Sequence, residues 1–175
     1  MDVNDLRVLA GAVFDAINDE ANKNGIEQAI IFVQYDIIDD EVAKTLNRST
    51  DRPLVAQSSP GGRSAQTAQG KIISAKKVFH DTYKYNPSSN IMDYSSEACL
   101  DGPIKTEGGI YIPIGTVLGG CPTIWYTKVG VGIGVETGNP DTDKNLAMSG
   151  ARVVCDYFGK QGFLTPEVFH RKTEE

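Results

Sequence analysis

Cysteine is scarce in this chain. The three present, Cys99, Cys121 and Cys155, are odd in number, widely spaced and free of any C-x-x-C pair. That speaks against a disulfide framework and against a zinc site. Positive charge is also short: 17 Lys and Arg stand against 23 Asp and Glu, for a formal net charge of −6. Nucleic acid and anionic membrane would each need a basic face, so neither is expected as a main partner. No apolar run approaches the ~20 residues of a membrane span. The opening MDVNDLR is acidic and lacks the basic-then-apolar layout of a signal peptide. Internal repeats and low-complexity tracts are missing. Cytoplasm is the expected compartment.

What is present suits one domain. A chain of 175 residues, 40% hydrophobic and 23% charged, is ordinary for a globular protein with an adequate core. Leu6, Leu9, Ala10, Val13, Phe14 and Ile17 repeat at helical spacing and predict an amphipathic helix ending near Gly25, with Asn4 or Asp5 as cap. Gln28 to Ile38 is apolar and β-branched, as in a buried central strand. Asp39 to Arg52 is charged, with room for a helical turn. Ser58 to Gly62 reads as a loop, and Ser64 to about Tyr83 as a helix with Ala68, Ile72, Ala75 and Phe79 on one face. Strands follow at Ile110–Ile114, Thr123–Thr127 and Val129–Thr137, then a helix from Asp141 to Phe158. Residues 1–160 form the domain. Residues 161–175 read as a tail that docks on a neighbouring subunit through Phe163, Val168 and Phe169. This order predicts an α+β fold, a central antiparallel sheet flanked by helices.

The densest signal lies between Gly115 and Val154. Gly130, Gly132 and Gly134 alternate within one strand, so all three face the same way and leave that face bare. They fail as a dinucleotide fingerprint, because that motif puts its glycines in a turn that opens a helix at once. A ligand lying on the bare face is one reading, and a helix or second subunit packed there is the other. Asp141 and Asp143 sit where a helix start wants acceptors and negative charge, and capping is their expected role.

Gly119, Gly120, Pro122 and Ile124, then Val129, Gly130, Gly132, Gly134 and Val135, then Asp141, Asp143, Ala147, Gly150 and Ala151 together resemble the C-terminal half of the GlcG/HbpS-like haem-binding-protein family. Fainter similarity runs through Leu6–Asp36 and the helix bearing Ala65, Ala68, Lys71 and Ala75. Ile37–Gln57 and Lys84–Glu107 match nothing in it. The resemblance implies a profilin-like layered fold, haem or another tetrapyrrole as ligand, and a multi-subunit assembly.

It also makes the Gly119-Gly120-Cys121-Pro122 loop a candidate pocket rim, with the helix carrying Lys76 and His80 as the opposite wall. The loop glycines expose backbone N–H groups, and Lys76 would pair with haem propionates or an acidic metabolite. Elsewhere Lys71, Lys76 and Lys77 read as a solvated helix face. His80 is the histidine best placed for haem ligation or base catalysis, although a helix C-terminus favours histidine anyway. Cys121 is a weaker ligand or nucleophile, and His170 ranks below both. Tyr111, Trp125 and Tyr126 border the loop. Trp125 and Tyr126 alternate in direction, so at most one of them, Tyr126 in our assignment, flanks a pocket. No nucleophile-elbow signature supports a catalytic triad. Three functions stay open at this point: a small-molecule binder, a metal-independent enzyme acting on a small organic metabolite, and an oligomeric interaction protein.

Overall fold

Leu6, Leu9, Ala10, Val13 and Ile17 are all buried, and their spacing winds the first helix, α1 (Val3–Lys23), onto the core. The structure is a computed structural model that describes residues 3–37, 43–44, 47, 52–85, 104–106, 108–114, 129–160 and 169–171. Among the described residues two further long helices follow, α2 (Arg63–Thr82) and α3 (Pro140–Lys160). The strands are β1 (Ile30–Ile37), β2 (Val55–Ser58), β3 (Tyr83–Tyr85), β4 (Ile104–Thr106), β5 (Gly109–Ile114), β6 (Val129–Glu136) and β7 (Phe169–Arg171). Five of them build one sheet in the order β2-β1-β6-β5-β4, antiparallel at every junction. The chain therefore has the α+β layout expected of it, a central antiparallel sheet flanked by helices.

The period-two alternation of strands divides the sheet into two unlike faces. Ile31, Val33 and Tyr35 of β1, Ile110 and Ile112 of β5, and Val131, Ile133 and Val135 of β6 join one apolar core with α1 and α3. Gly150 of α3 brings those helices together: a Cβ there would stand 2.9 Å from Ile17 Cδ1 and 3.0 Å from Val13 Cγ1. The opposite face carries Gln34, Asp36, Tyr111 and the three alternate glycines, and α2 lies across it.

The glycine face is filled from within the chain. A Cβ at Gly132 would run into Ile72 Cγ2, and one at Gly134 into the backbone carbonyl of Ala68, both on α2. A side chain at Gly130 would displace the Tyr111 hydroxyl. Of the two readings of that face, packing by a helix holds, and a ligand lying on the glycines is excluded there. The helix comes close because these strand positions have no side chains.

Other expectations shift at their edges. Val55–Ser58 pairs with β1 as an edge strand, although Ser58 reads as the start of a loop. Four residues with a polar half carry too short an alternation to stand out. Asn139, not Asp141 or Asp143, caps α3: its Oδ1 accepts the Thr142 N–H at 3.1 Å. Within the tail, Phe169–Arg171 pairs antiparallel with Tyr83–Tyr85 of the same chain, while Phe163 and Val168 lie outside the described residues. The expected strand Thr123–Thr127 lies outside them as well.

Candidate functional site

The face under α2 holds a buried polar cluster centred on Asp36. In β1, Gln34 and Asp36 interrupt an otherwise apolar run at period two, so both point toward α2. Opposite them in register stand Gly132 and Gly130 of β6, and Tyr111 of β5 is the other neighbour of Gly132. With no side chain at Gly130, the Tyr111 hydroxyl reaches across β6 and donates to Asp36 Oδ2 at 3.2 Å. Gln34 Nε2 donates to both carboxylate oxygens, at 3.2 and 3.0 Å. Lys76 comes down from α2 to within 3.1 Å of Oδ2 and passes 6.0 Å from the Tyr111 ring centroid.

Asp36 is fully buried, and the Lys76 side chain is 18% exposed. A carboxylate removed from water needs a cation and hydrogen-bond donors, and it has both here. Burial first, then the negative charge of Asp36 and the hydrogen bond to it, push the Tyr111 phenol well above its ordinary pKa. Tyr111 therefore remains a neutral donor at physiological pH. Only Gln34 Oε1 is left over, a buried oxygen without a hydrogen-bond partner.

A second polar node fastens α2 near its middle. Lys71 Nζ lies 2.6 Å from Glu136, 3.0 Å from Asp143 and 2.8 Å from the carbonyl of Val135. Asp143, 2% exposed, also accepts from the Thr137 N–H at 2.7 Å and from the Thr137 hydroxyl. Burial works to lower the Lys71 pKa, but hydrogen bonds to Glu136 and Asp143 and their charges outweigh it, and the ammonium is held above its ordinary value. Lys71 and Lys76 thus turn inward to buried aspartates at opposite ends of the sheet. Only Lys77 belongs to the solvated face expected for all three.

His80 is exposed on the last turn of α2, with its ring 5.2 Å from Phe79 and 6.4 Å from Tyr111. Lys76 and His80 therefore lie at one end of the sheet. There β1 and β5 end and β6 begins, with Ile37 and Ile114 both paired to Val129. The chain between Ile114 and Val129 is anchored at both ends to that edge. It carries Gly119, Gly120, Cys121 and Tyr126, which lie outside the described residues. The geometry alters the role foreseen for Lys76, because its ammonium is already paired with Asp36.

The sequence reading missed Gln34 and Asp36, and placed Tyr111 only among the bordering aromatics. A detectable signal was there: two polar residues at period two inside a β-branched strand. Among the described residues, no group of three His, Cys, Asp or Glu side chains is placed to hold a metal ion. No described helix is long and apolar enough to cross a membrane. A separate groove of about 720 Å3 between α1 and α3 is lined by polar groups including Glu20, Asn24, Asn145 and Arg152. There Asn24, just past the end of α1, donates from Nδ2 to the Glu20 carbonyl at 2.8 Å, and Ser149 Oγ donates to the Leu146 carbonyl within α3 at 2.7 Å. Comparisons of the chain with protein-family models, with curated proteins and with solved structures found no match.

Proposed function

We propose that the protein binds a small molecule at the C-terminal end of α2, with haem or another tetrapyrrole as the ligand that the GlcG/HbpS-like resemblance suggests. The supporting observation is the Asp36–Gln34–Tyr111–Lys76 cluster, a buried polar group with an unmet acceptor. It reaches from mid-strand, at Gln34 and Tyr111, to Asp36, next to the strand ends that join the chain bearing Gly119 and Gly120. Buried polar groups are normally satisfied, and an exception calls for a partner or a role; the Tyr35 hydroxyl, in the apolar core, is a second one. In this reading the glycine face is scaffold and the ligand sits beyond it, beside Tyr111 and His80. Haemin titration tests the haem assignment. A Soret band that weakens in His80→Ala supports ligation by His80, and no Soret band at micromolar haemin removes haem.

A second reading, a metal-independent enzyme acting on a small organic metabolite, draws on Tyr111. A neutral phenol held against a buried carboxylate is a fixed hydrogen-bonding group that can position a reacting molecule, although its raised pKa makes it a poor source of protons. Turnover of a candidate metabolite that is lost in Tyr111→Phe supports it, and turnover unchanged by that substitution removes this role. Self-association and a cytoplasmic setting also belong to this proposal. With the glycine face covered by α2, self-association rests on the resemblance. Sedimentation showing only the 18.9 kDa monomer at micromolar concentration refutes it.

A further inference from the structure

We infer that the groove between α1 and α3 is a second binding site, for a small zwitterion of the amino-acid or dipeptide kind, with the ligand's carboxylate on Arg152 and its ammonium on Glu20. This groove lies on the opposite face of the sheet from α2, and the inference does not rest on a ligand at the α2 end.

Helix packing sets the two charges toward opposite ends of one trough. Gly150 of α3 sits against Val13 and Ile17 of α1, while Leu9 and Val153 meet further along the same pair. The two helices therefore run antiparallel. Counted from Gly150, Asn145 stands level with Glu20, and Arg152 lies about seven residues beyond it, roughly 10 Å along the axis. Side chains in a helix tilt toward its N-terminus. In an antiparallel pair that tilt carries Arg152 toward Asn145, and Glu20 back toward the level of Arg152.

Both ends keep open valences. Arg152 is exposed, and among the described residues it has no ion pair and no side-chain hydrogen bond, although Glu20 lines the same groove. Glu20 Oε1 takes Asn24 Nδ2 at 3.4 Å, the longer arm of a donor that serves the Glu20 carbonyl at 2.8 Å. Oε2 has no partner among the described residues. Thr142, Asn145, Ser149 and Arg152 share one face of α3. The Ser149 hydroxyl is taken up by the Leu146 carbonyl. The Thr142 hydroxyl and the Asn145 amide have no such partner among the described residues.

The charges decide the class of ligand. Glu20 and Arg152 are the charged residues lining the groove. A net anion would gain at Arg152 and be repelled by Glu20, and a net cation would meet the reverse. A zwitterion matches both ends, and a peptide group between its charges finds the Asn145 amide and the Thr142 hydroxyl. The planar guanidinium fork takes a carboxylate through two parallel N–H bonds. The groove's volume of about 720 Å3 falls within the roughly 300–1,000 Å3 of small-molecule sites, and it has room for a dipeptide.

The experiment is a titration of the whole 15N-labelled protein with glycylglycine, N-acetylglycine and glycinamide at matched ionic strength. It follows the side-chain amides of Asn24 and Asn145 and the Nε–H of Arg152. N-acetylglycine keeps the carboxylate without the ammonium, and glycinamide keeps the ammonium without the carboxylate. Saturable shifts with glycylglycine, at concentrations at least about fivefold below those needed with either control (about 1 kcal/mol), support the inference. A loss of at least that factor in Arg152→Gln and in Glu20→Gln supports the assigned ends. Neither substitution empties a buried position, so both variants should fold. Glycylglycine binding no tighter than either control overturns the zwitterion class. Weakening in Arg152→Gln alone overturns the role of Glu20, and weakening in neither variant overturns the pairing at both ends. Silence toward all three probes overturns the site. A Soret band with haemin in any of these samples bears only on the α2 end, so the two proposals stand or fall separately.

Discussion

At the scale of single residues, the glycines of β6 differ in what a side chain would displace. At Gly134 the obstacle is the Ala68 carbonyl, which cannot move without moving α2. At Gly132 it is the Ile72 side chain, and at Gly130 the Tyr111 hydroxyl. Overpacking a filled core costs roughly 1–3 kcal/mol. Gly132→Val should lower stability by about that much, and Gly134→Ala should be at least as damaging despite its smaller side chain. Urea midpoints for the two variants check the order, and unchanged midpoints would mean that α2 does not cover this face. Lys71→Met leaves Asp143, 2% exposed, without its cation. Removing one partner of a buried pair costs on the order of 3 kcal/mol. A loss below about 1 kcal/mol, as exposed pairs give, would show that water reaches the node.

At the scale of elements, the helices tolerate what the strand does not. A Cβ added at Gly11 in α1 or at Gly70 in α2 would meet nothing within 4 Å. In a helix interior glycine is less favourable than alanine by about 0.5–1 kcal/mol, through backbone entropy. Gly11→Ala and Gly70→Ala should each stabilise by about that amount, read as a raised denaturant midpoint with an unchanged slope. A lower midpoint would mean that another surface already occupies those positions. The same residue type therefore has opposite consequences in α2 and in β6, because one position faces open space and the other faces a helix.

For the whole molecule, alkaline pH is the informative variable. Burial pushes Tyr35, Tyr111 and Tyr157 upward, and the anionic partners of Lys71 raise its pKa despite its burial. A raised folded-state value means that the folded protein keeps protons that the unfolded chain has released. The associated stability is whole below the unfolded values, near 10.0 for tyrosine and 10.5 for lysine. It is lost as pH rises through the folded values. The urea midpoint should therefore fall above about pH 10, and the fall should be shallower in Tyr111→Phe, which lacks the phenol. That variant should start lower by about 1.5–3 kcal/mol, the worth of a hydrogen bond to a charged group. A midpoint level beyond pH 11, roughly a unit above the ordinary tyrosine value, would contradict the burial of these groups.

The α+β class, the three long helices and the strands β1, β5 and β6 were legible in the residues, because periodicity is a local property and each of these elements repeats it over several turns or pleats. The glycine alternation also announced that something approaches β6 closely. What approaches could not be read, since glycine records the absence of a side chain and says nothing of the neighbour that uses the space. Only the tertiary structure supplied α2. The cluster was hidden for a related reason: Gln34, Asp36, Lys76 and Tyr111 come from three separate elements, and their meeting depends on strand register and on the placement of α2 across the sheet. Short pairings such as β3 with β7 carry too few residues for a pattern, and exist because a distant partner completes them. Local chemistry determined the elements, and long-range packing decided that two lysines read as solvent-facing would end on buried aspartates.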